Sequence, residues 1–198
     1  ELPEIPLISG GDTDVIIKYG NVQETHSKQR ISKSFYEIYP NDFLLRLESV
    51  GGYRVRNGNE IVVDPQQVSN LEEVRLFLMG SALGALLHQR GSFPLHGSTI
   101  KTNKGAIIFI GDTGTGKSTI VAGLIKKGYK VLTDDITVIN TGNDGDFIVH
   151  PGTPFIRLWK DVLDYFDYTI NLKRIRPNTE KYIRPLVDHF YDHPLQIG

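Results

Sequence analysis

Eight consecutive residues, Gly111-Asp112-Thr113-Gly114-Thr115-Gly116-Lys117-Ser118, satisfy the pattern G-x-x-x-x-G-K-[ST] in full. Residues of these types in this order bind phosphate. The glycines let successive backbone N–H groups turn inward around anionic oxygens at the positive end of a following helix. Lys117 supplies an ammonium for β- and γ-phosphates and Ser118 a small neutral hydroxyl for Mg²⁺; Thr119, next in line, belongs with the nucleotide-binding residues. The plainer alternative is a glycine-rich strand-to-helix turn with a surface lysine. Two carboxylates follow at Asp134-Asp135. One can bind Mg²⁺ and the other accept the proton of an attacking hydroxyl. Neighbouring side chains on a strand point opposite ways, so both serve one site only if the strand bends or ends there; otherwise they are a turn pair capping the strand. His96 reads equally as a structural histidine or a site residue. Arg157 reads as a surface arginine at a helix start or as a fork for a phosphate or carboxylate. Lys173, Arg174, Arg176, Lys181 and Arg184 form a basic stretch, either a solvated face or a surface for an acidic peptide or the nucleotide. His26, His150, His189 and His193 have no metal-ligand spacing.

The elements that must position these groups change character near residue 68. Before it the signals are those of strands: Val15-Ile16-Ile17, Phe35 to Tyr39, Phe43 to Leu47, and Tyr53 to Arg56 joined to Glu60 to Val63 across Asn57-Gly58. Asn-Gly suits a type I′ turn, which needs two positive φ angles. Residues 1–68 are therefore expected to be a β-rich region with a small antiparallel sheet. Ser69-Asn70-Leu71-Glu72 fits a capping box with Val68 as its hydrophobic staple. The helix that follows carries Val74, Leu76, Phe77, Leu78, Leu83, Leu86 and Leu87 and ends at Gly91. Its apolar residues nearly encircle it and Gly80 and Gly84 permit close approach, so it is expected to be buried. Ala106 to Ile110 is a continuous apolar run, as in a strand covered on both faces. A helix from Ser118 to Lys127 with Gly128 beyond its end, a strand Val131-Leu132 running into Asp134-Asp135, a hairpin from Ile136 to Val149, and a helix from Leu158 to Ile170 with Trp159, Leu163 and Phe166 inward complete the expected elements. The fold class is α/β, α+β overall, with residues 69–198 as the second domain.

With 22 Lys+Arg against 23 Asp+Glu the formal net charge is −1, which excludes a polybasic nucleic-acid binder. No apolar run reaches the roughly 20 residues of a membrane helix. Without cysteine there are no disulfides, thiolate zinc sites or thiol catalysis. The acidic, proline-broken start Glu1-Leu2-Pro3-Glu4 is no secretory signal, and a cytoplasmic location is expected.

Leu95-His96-Gly97-Ser98, the phosphate loop, and Gly128-Tyr129-Lys130-Val131-Leu132-Thr133-Asp134-Asp135 resemble, in order and spacing, the catalytic domain of HPr serine kinase/phosphorylase. The whole chain looks similar to HPr-kinase-related proteins of lasso-peptide biosynthesis. The further carriers are the β-rich N-terminal region, Val74 to Gly80, Leu87-His88-Gln89-Arg90-Gly91, and Pro151-Gly152-Thr153-Pro154 with Leu158-Trp159. The resemblance implies a P-loop kinase domain akin to phosphoenolpyruvate carboxykinase. It implies transfer of the γ-phosphoryl group of ATP, or another nucleoside triphosphate, to a serine hydroxyl with Mg²⁺. Asp134 would be the general base, Asp135 a Mg²⁺ ligand beside Ser118, Lys117 catalytic, and His96 a residue tuning or relaying from Asp134. In the lasso-peptide branch the acceptor is the precursor's C-terminal serine, and related kinases assemble into homo-oligomers. The signature that follows the Asp-Asp strand in bifunctional enzymes is absent here. An HPr-directed protein kinase and a nucleotide-binding regulatory module stay open as alternatives. Leu195-Gln196-Ile197-Gly198 reads as the start of another strand, so the catalytic domain is expected to be incomplete at its C-terminus.

Overall fold

The computed structural model describes residues 13–22, 31–33, 35–67, 69–168, 172–176 and 178–198. His26 and the staple residue Val68 lie outside them, as do residues 169–171. Contacts divide the chain into two units, Glu1–Ser92 and Phe93–Gly198, and the class is mixed α/β, rich in strand.

In the first unit β1 (Ile16–Tyr19), β2 (Ile31–Lys33), β3 (Tyr36–Tyr39), β4 (Asp42–Leu47), β5 (Gly51–Arg56) and β6 (Glu60–Pro65) form one sheet in the order β1-β6-β5-β4-β3-β2. The β5–β6 hairpin turns at Asn57 and Gly58, whose φ angles of 51° and 64° are the two positive values that Asn-Gly favours. From β2 to β6 all neighbours are antiparallel, but β1 runs parallel to β6. This corrects the expectation of a wholly antiparallel sheet: the meander leaves one row of β6 backbone groups open, and β1 pairs with it.

The helix after residue 69 runs from α1 (Leu71–Phe77) through a π-helical turn (Leu78–Ala82) into α2 (Leu83–Gln89). Asn70, not Ser69, caps it: Asn70 Oδ1 accepts from the Glu72 N–H at 2.9 Å, while Ser69 Oγ donates to the Gln66 carbonyl. The buried row Val74, Leu78, Ala82 and Leu86 repeats every four residues. Four α-helical steps overshoot a full turn by about 40°, and the wider π turn takes up part of that drift. The row packs on Leu45, Tyr53, Val55, Ile61 and Val63 to make this unit's core. Only that row is buried, and a Cβ at Gly80 or Gly84 would meet no atom within 4 Å. The all-round burial expected of the helix is therefore corrected. Because the helix packs on this sheet, the first unit extends to Ser92 rather than ending at residue 68.

The second unit is organised by β7 (Phe93–Thr102). It is followed by β8 (Gly105–Ile110), α3 (Lys117–Lys126), β9 (Lys130–Thr133), β10 (Ile136–Thr141) and β11 (Phe147–His150). The first half of β7 pairs with β10; its second half pairs with β8 on one edge and β9 on the other, all antiparallel. Two consequences position the site. β8 and β9, each antiparallel to β7, run parallel to one another with β7 between them, so their C-terminal ends share one edge of the sheet. In addition, β9 and β10 follow the same edge of β7 as one strand interrupted at Asp134-Asp135. β8 is not covered on both faces, since Ile107 and Ile110 are exposed on this flanking strand. The doubly covered strand is β9, with Val131 in one core and Leu132 in the other.

Beyond β11 lie β12 (Phe155–Trp159), α4 (Lys160–Tyr165), β13 (Lys173–Arg174), β14 (Lys181–Pro185) and β15 (Leu195–Gln196). β12, β14 and β13 form a three-stranded sheet, and β15 adds to β11. The helix expected from Leu158 starts later, at Lys160, with Leu163 and Phe166 turned to the core as expected; Phe155 to Trp159 is instead a strand with Ile156 and Leu158 buried at a period of two, and Trp159 is half exposed rather than inward. Ile156 and Leu158 join Val121, Ala122 and Ile125 of α3 and Val162 and Leu163 of α4 in one core. No helix among the described residues is long and apolar enough to cross a membrane.

Candidate functional site

β8 feeds the loop Gly111–Ser118, and α3 starts at Lys117 with Gly116 before it at φ 91°. That left-handed backbone strains any residue bearing a Cβ, which is why glycine must stand there. Lys117 is buried, and its ammonium donates to the carbonyls of Gly111 and Asp112 at 2.7 and 2.8 Å. An ammonium has three donors, so one remains for an anionic oxygen. Thr115 Oγ1 donates to the same Asp112 carbonyl at 2.8 Å and fixes the bend. Thr113, Gly114, Gly116, Lys117, Ser118 and Thr119 line a cavity of about 490 Å³; Gly111, Asp112 and Thr115 frame the loop behind it.

The same cavity is lined by His96, Ser98, Asp134 and Asp135. The condition for two adjacent carboxylates to share a site is met, because β9 ends at Thr133 and Asp135 takes a left-handed φ of 78°. Thr133 Oγ1 donates to the Ile136 carbonyl at 2.6 Å and closes the bend. Asp134 is buried. Its Oδ1 accepts from Ser98 Oγ at 2.6 Å and Ser118 Oγ at 3.2 Å, and its Oδ2 from the Arg157 backbone N–H at 2.9 Å. Burial pushes its carboxyl above the ordinary aspartate range, and the Asp135 charge adds to the rise; the bonds from the Arg157 N–H and Ser98 and the Arg157 charge act the other way.

His96 does not reach Asp134, so its expected partner is corrected. Nδ1 lies 2.9 Å from the Asp135 backbone carbonyl and 3.6 Å from Asp135 Oδ1. A carbonyl only accepts, so Nδ1 carries the proton of that bond. Among the residues that bond Asp134 is Ser98, for which the sequence reading held no role. Its signal was available: Ser98 stands two residues from His96 on one strand and so shares its face. Arg157 lies in β12, not at a helix start, and its guanidinium forms an ion pair with Asp135 Oδ2. Of the basic stretch, Lys181 lines the cavity, whereas Arg174 and Arg184 lie against the rings of Tyr182 and Tyr168. Trp159, Lys160, Asp161, Val162 and Glu180 complete the wall. His150, His189 and His193 have no part in it.

The donor set suits Mg²⁺ rather than a metal held by protein alone. Among the described residues no group of three or more His, Cys, Asp or Glu side chains could hold a metal ion. Mg²⁺ is commonly bound through one or two carboxylates together with substrate phosphates. The Ser118 hydroxyl and the Asp135 carboxylate, which line one cavity with the Gly111–Ser118 loop, are donors of that kind.

The bend carrying the acids is also braced from outside. Gly152 donates its N–H to the Leu132 carbonyl at 2.9 Å, and a Cβ there would stand 2.3 Å from Thr133 Oγ1. Gly152→Ala must push Thr133 aside. It should lower stability by about 1–3 kcal/mol, as overpacking does, read as a shifted midpoint in urea; an unchanged midpoint would mean that the segment yields freely.

A family model for "SynChlorMet cassette protein ScmC" matches residues 62–166, just over half of the chain. No curated protein matches it. The match runs through the Gly111–Ser118 loop, the acid pair and β12, and the chain belongs to the ScmC family of SynChlorMet cassette proteins.

Proposed function

We propose that the chain is a Mg²⁺- and nucleotide-dependent kinase that transfers a γ-phosphoryl group to a serine hydroxyl of a peptide, on a P-loop kinase fold related to HPr kinase and phosphoenolpyruvate carboxykinase. The observation that carries the reading is the convergence of Lys117, Ser118, Asp134 and Asp135 on one cavity. A phosphate loop alone would fit any nucleotide binder. A buried carboxylate beside it, with its pKa raised, adds a proton acceptor matched to a hydroxyl.

In this reading the backbone N–H groups of Gly114, Gly116, Lys117 and Ser118 hold the triphosphate, and the third ammonium N–H of Lys117 offsets charge gathering on the transferred group. Mg²⁺, when bound by Ser118 and Asp135, neutralises phosphate charge and orients its oxygens. Asp134, fixed by Ser98 and the Arg157 N–H, receives the acceptor's proton. The serine oxygen forms a bond to the γ-phosphorus as the bond to the β–γ bridging oxygen breaks, and the nucleoside diphosphate leaves. A nucleoside triphosphate donor places the reaction in the cytoplasm. The acceptor that the sequence resemblance implies is a peptide's C-terminal serine.

Intact-mass analysis of a peptide ending in serine, incubated with the protein and Mg-ATP, tests this. One phosphate should be gained, and Lys117→Ala should slow the gain about 10²-fold or more, as loss of one charge-stabilising donor does. Tight nucleotide binding with no phosphorylated product would favour the regulatory module, and phosphorylation of purified HPr with the peptide untouched would favour an HPr-directed kinase.

A further inference from the structure

Arg157 touches both acids by different means. Its backbone N–H donates to Asp134 Oδ2 at 2.9 Å, while its guanidinium pairs with Asp135 Oδ2. The guanidinium sits 5.5 Å from the Phe155 ring, and Nε is buried without a hydrogen-bond partner. With side chains only 14% and 27% exposed, neither member of the pair is well hydrated, so each is held more strongly by the other than a surface pair would be. The remaining oxygen, Asp135 Oδ1, faces His96 Nδ1. The one proton of that nitrogen goes to the Asp135 backbone carbonyl, so it is the guanidinium that holds the carboxylate assigned to the metal.

We propose that Arg157 is a positioning residue and the internal counter-cation of the acid pair: a divalent cation must compete with the guanidinium for the Asp135 carboxylate. One oxygen cannot serve a guanidinium N–H and a hard cation at full strength together. The exchange has a direction built in. A cation arriving alone must leave a poorly hydrated guanidinium without a partner. A cation arriving with a nucleotide brings phosphate oxygens, which accept from a guanidinium bidentately. Cation binding is then weak until the nucleotide is present. Asp134 stays in place throughout, because it is held by the Arg157 backbone and not by its side chain. The inference rests on Asp135 as the cation ligand of the proposed kinase.

Mn²⁺ binding to the full chain without nucleotide, followed through the paramagnetic resonance of the free ion, tests the exchange. Arg157→Gln should bind Mn²⁺ at least about fivefold tighter than the parent, the effect of removing one unit charge beside a partly exposed site. Arg157→Lys, with a shorter-reaching point charge in place of the planar guanidinium, should gain less in the same direction. A melting curve accompanies each variant. Should Arg157→Gln not fold, Arg157→Lys decides, and no gain there overturns the exchange. Equal or weaker Mn²⁺ binding by folded Arg157→Gln overturns it too. Asp135→Asn separates the two layers. If it loses Mn²⁺ while Arg157→Gln gains nothing, the exchange alone fails. If it binds Mn²⁺ as the parent does, the ligand assignment of Asp135 fails, and the inference falls with it.

Discussion

Asp134→Asn should cut phosphoryl transfer by about 10³–10⁴-fold while raising the melting temperature of the nucleotide-free protein. The two effects share one cause. A general base contributes up to about 10⁴-fold, and asparagine cannot take a proton. Yet asparagine fits the same space: its oxygen can accept from the Arg157 N–H and its amide can donate to Ser98, whose hydroxyl also accepts. What it removes is a buried charge. Burial holds the Asp134 pKa above its value in the unfolded chain, so the folded state favours the protonated form. The stability linked to that proton is fully present below the unfolded value, near pH 3.9, and is lost as the pH rises through the folded value. At pH 7 the parent therefore carries a penalty that the variant lacks. The melting advantage of Asp134→Asn should shrink as the pH is lowered and vanish below about 3.9. Full transfer activity would remove Asp134 from the base role; a melting temperature lower than the parent's would mean that its hydrogen bonds outweigh its desolvation.

Tyr53→Ala should destabilise the first unit by about 3–5 kcal/mol, the range for emptying a large aromatic site. Tyr53 is 0% exposed at the centre of that unit's core, and its hydroxyl donates to the Val74 carbonyl at 2.8 Å. Burial pushes that hydroxyl's pKa up to about 12. The side chain thus ties β5 to α1 in two ways, by packing and by one hydrogen bond. Tyr53→Phe separates them, since it keeps the ring and should cost only about 1 kcal/mol. Guanidinium titrations of both variants measure the difference. A cost for the alanine variant no larger than for phenylalanine would mean that the helix does not press on the sheet there.

What was legible in the sequence was local. Gly111 to Ser118 and Asn57-Gly58 announce themselves because their backbone geometry needs those residues at those spacings. Gly91 and Gly128 ended their helices for the same reason, with φ angles of 78° and 85°. What escaped depends on partners distant in the chain. The apolar run of β8 reads as a covered strand, and nothing within residues 106–110 shows that β7 lies on only one side of it. β12 passes for a helix start because large side chains stand on both its faces, and only the burial of Ile156 and Leu158 exposes a period of two. His96 went to the wrong aspartate for a related reason. Which carboxylate a strand residue meets depends on the left-handed turn at Asp135, a property of the fold that the residue type only permits.

Trp159 is the sole tryptophan of the chain and stands half exposed in the cavity wall, with the Lys181 ammonium 5.7 Å from its ring. Its indole emission therefore originates at a single known place. The protein carries its own optical probe of that cavity, and each occupant, whether nucleotide, cation or peptide, can be followed in the unlabelled molecule.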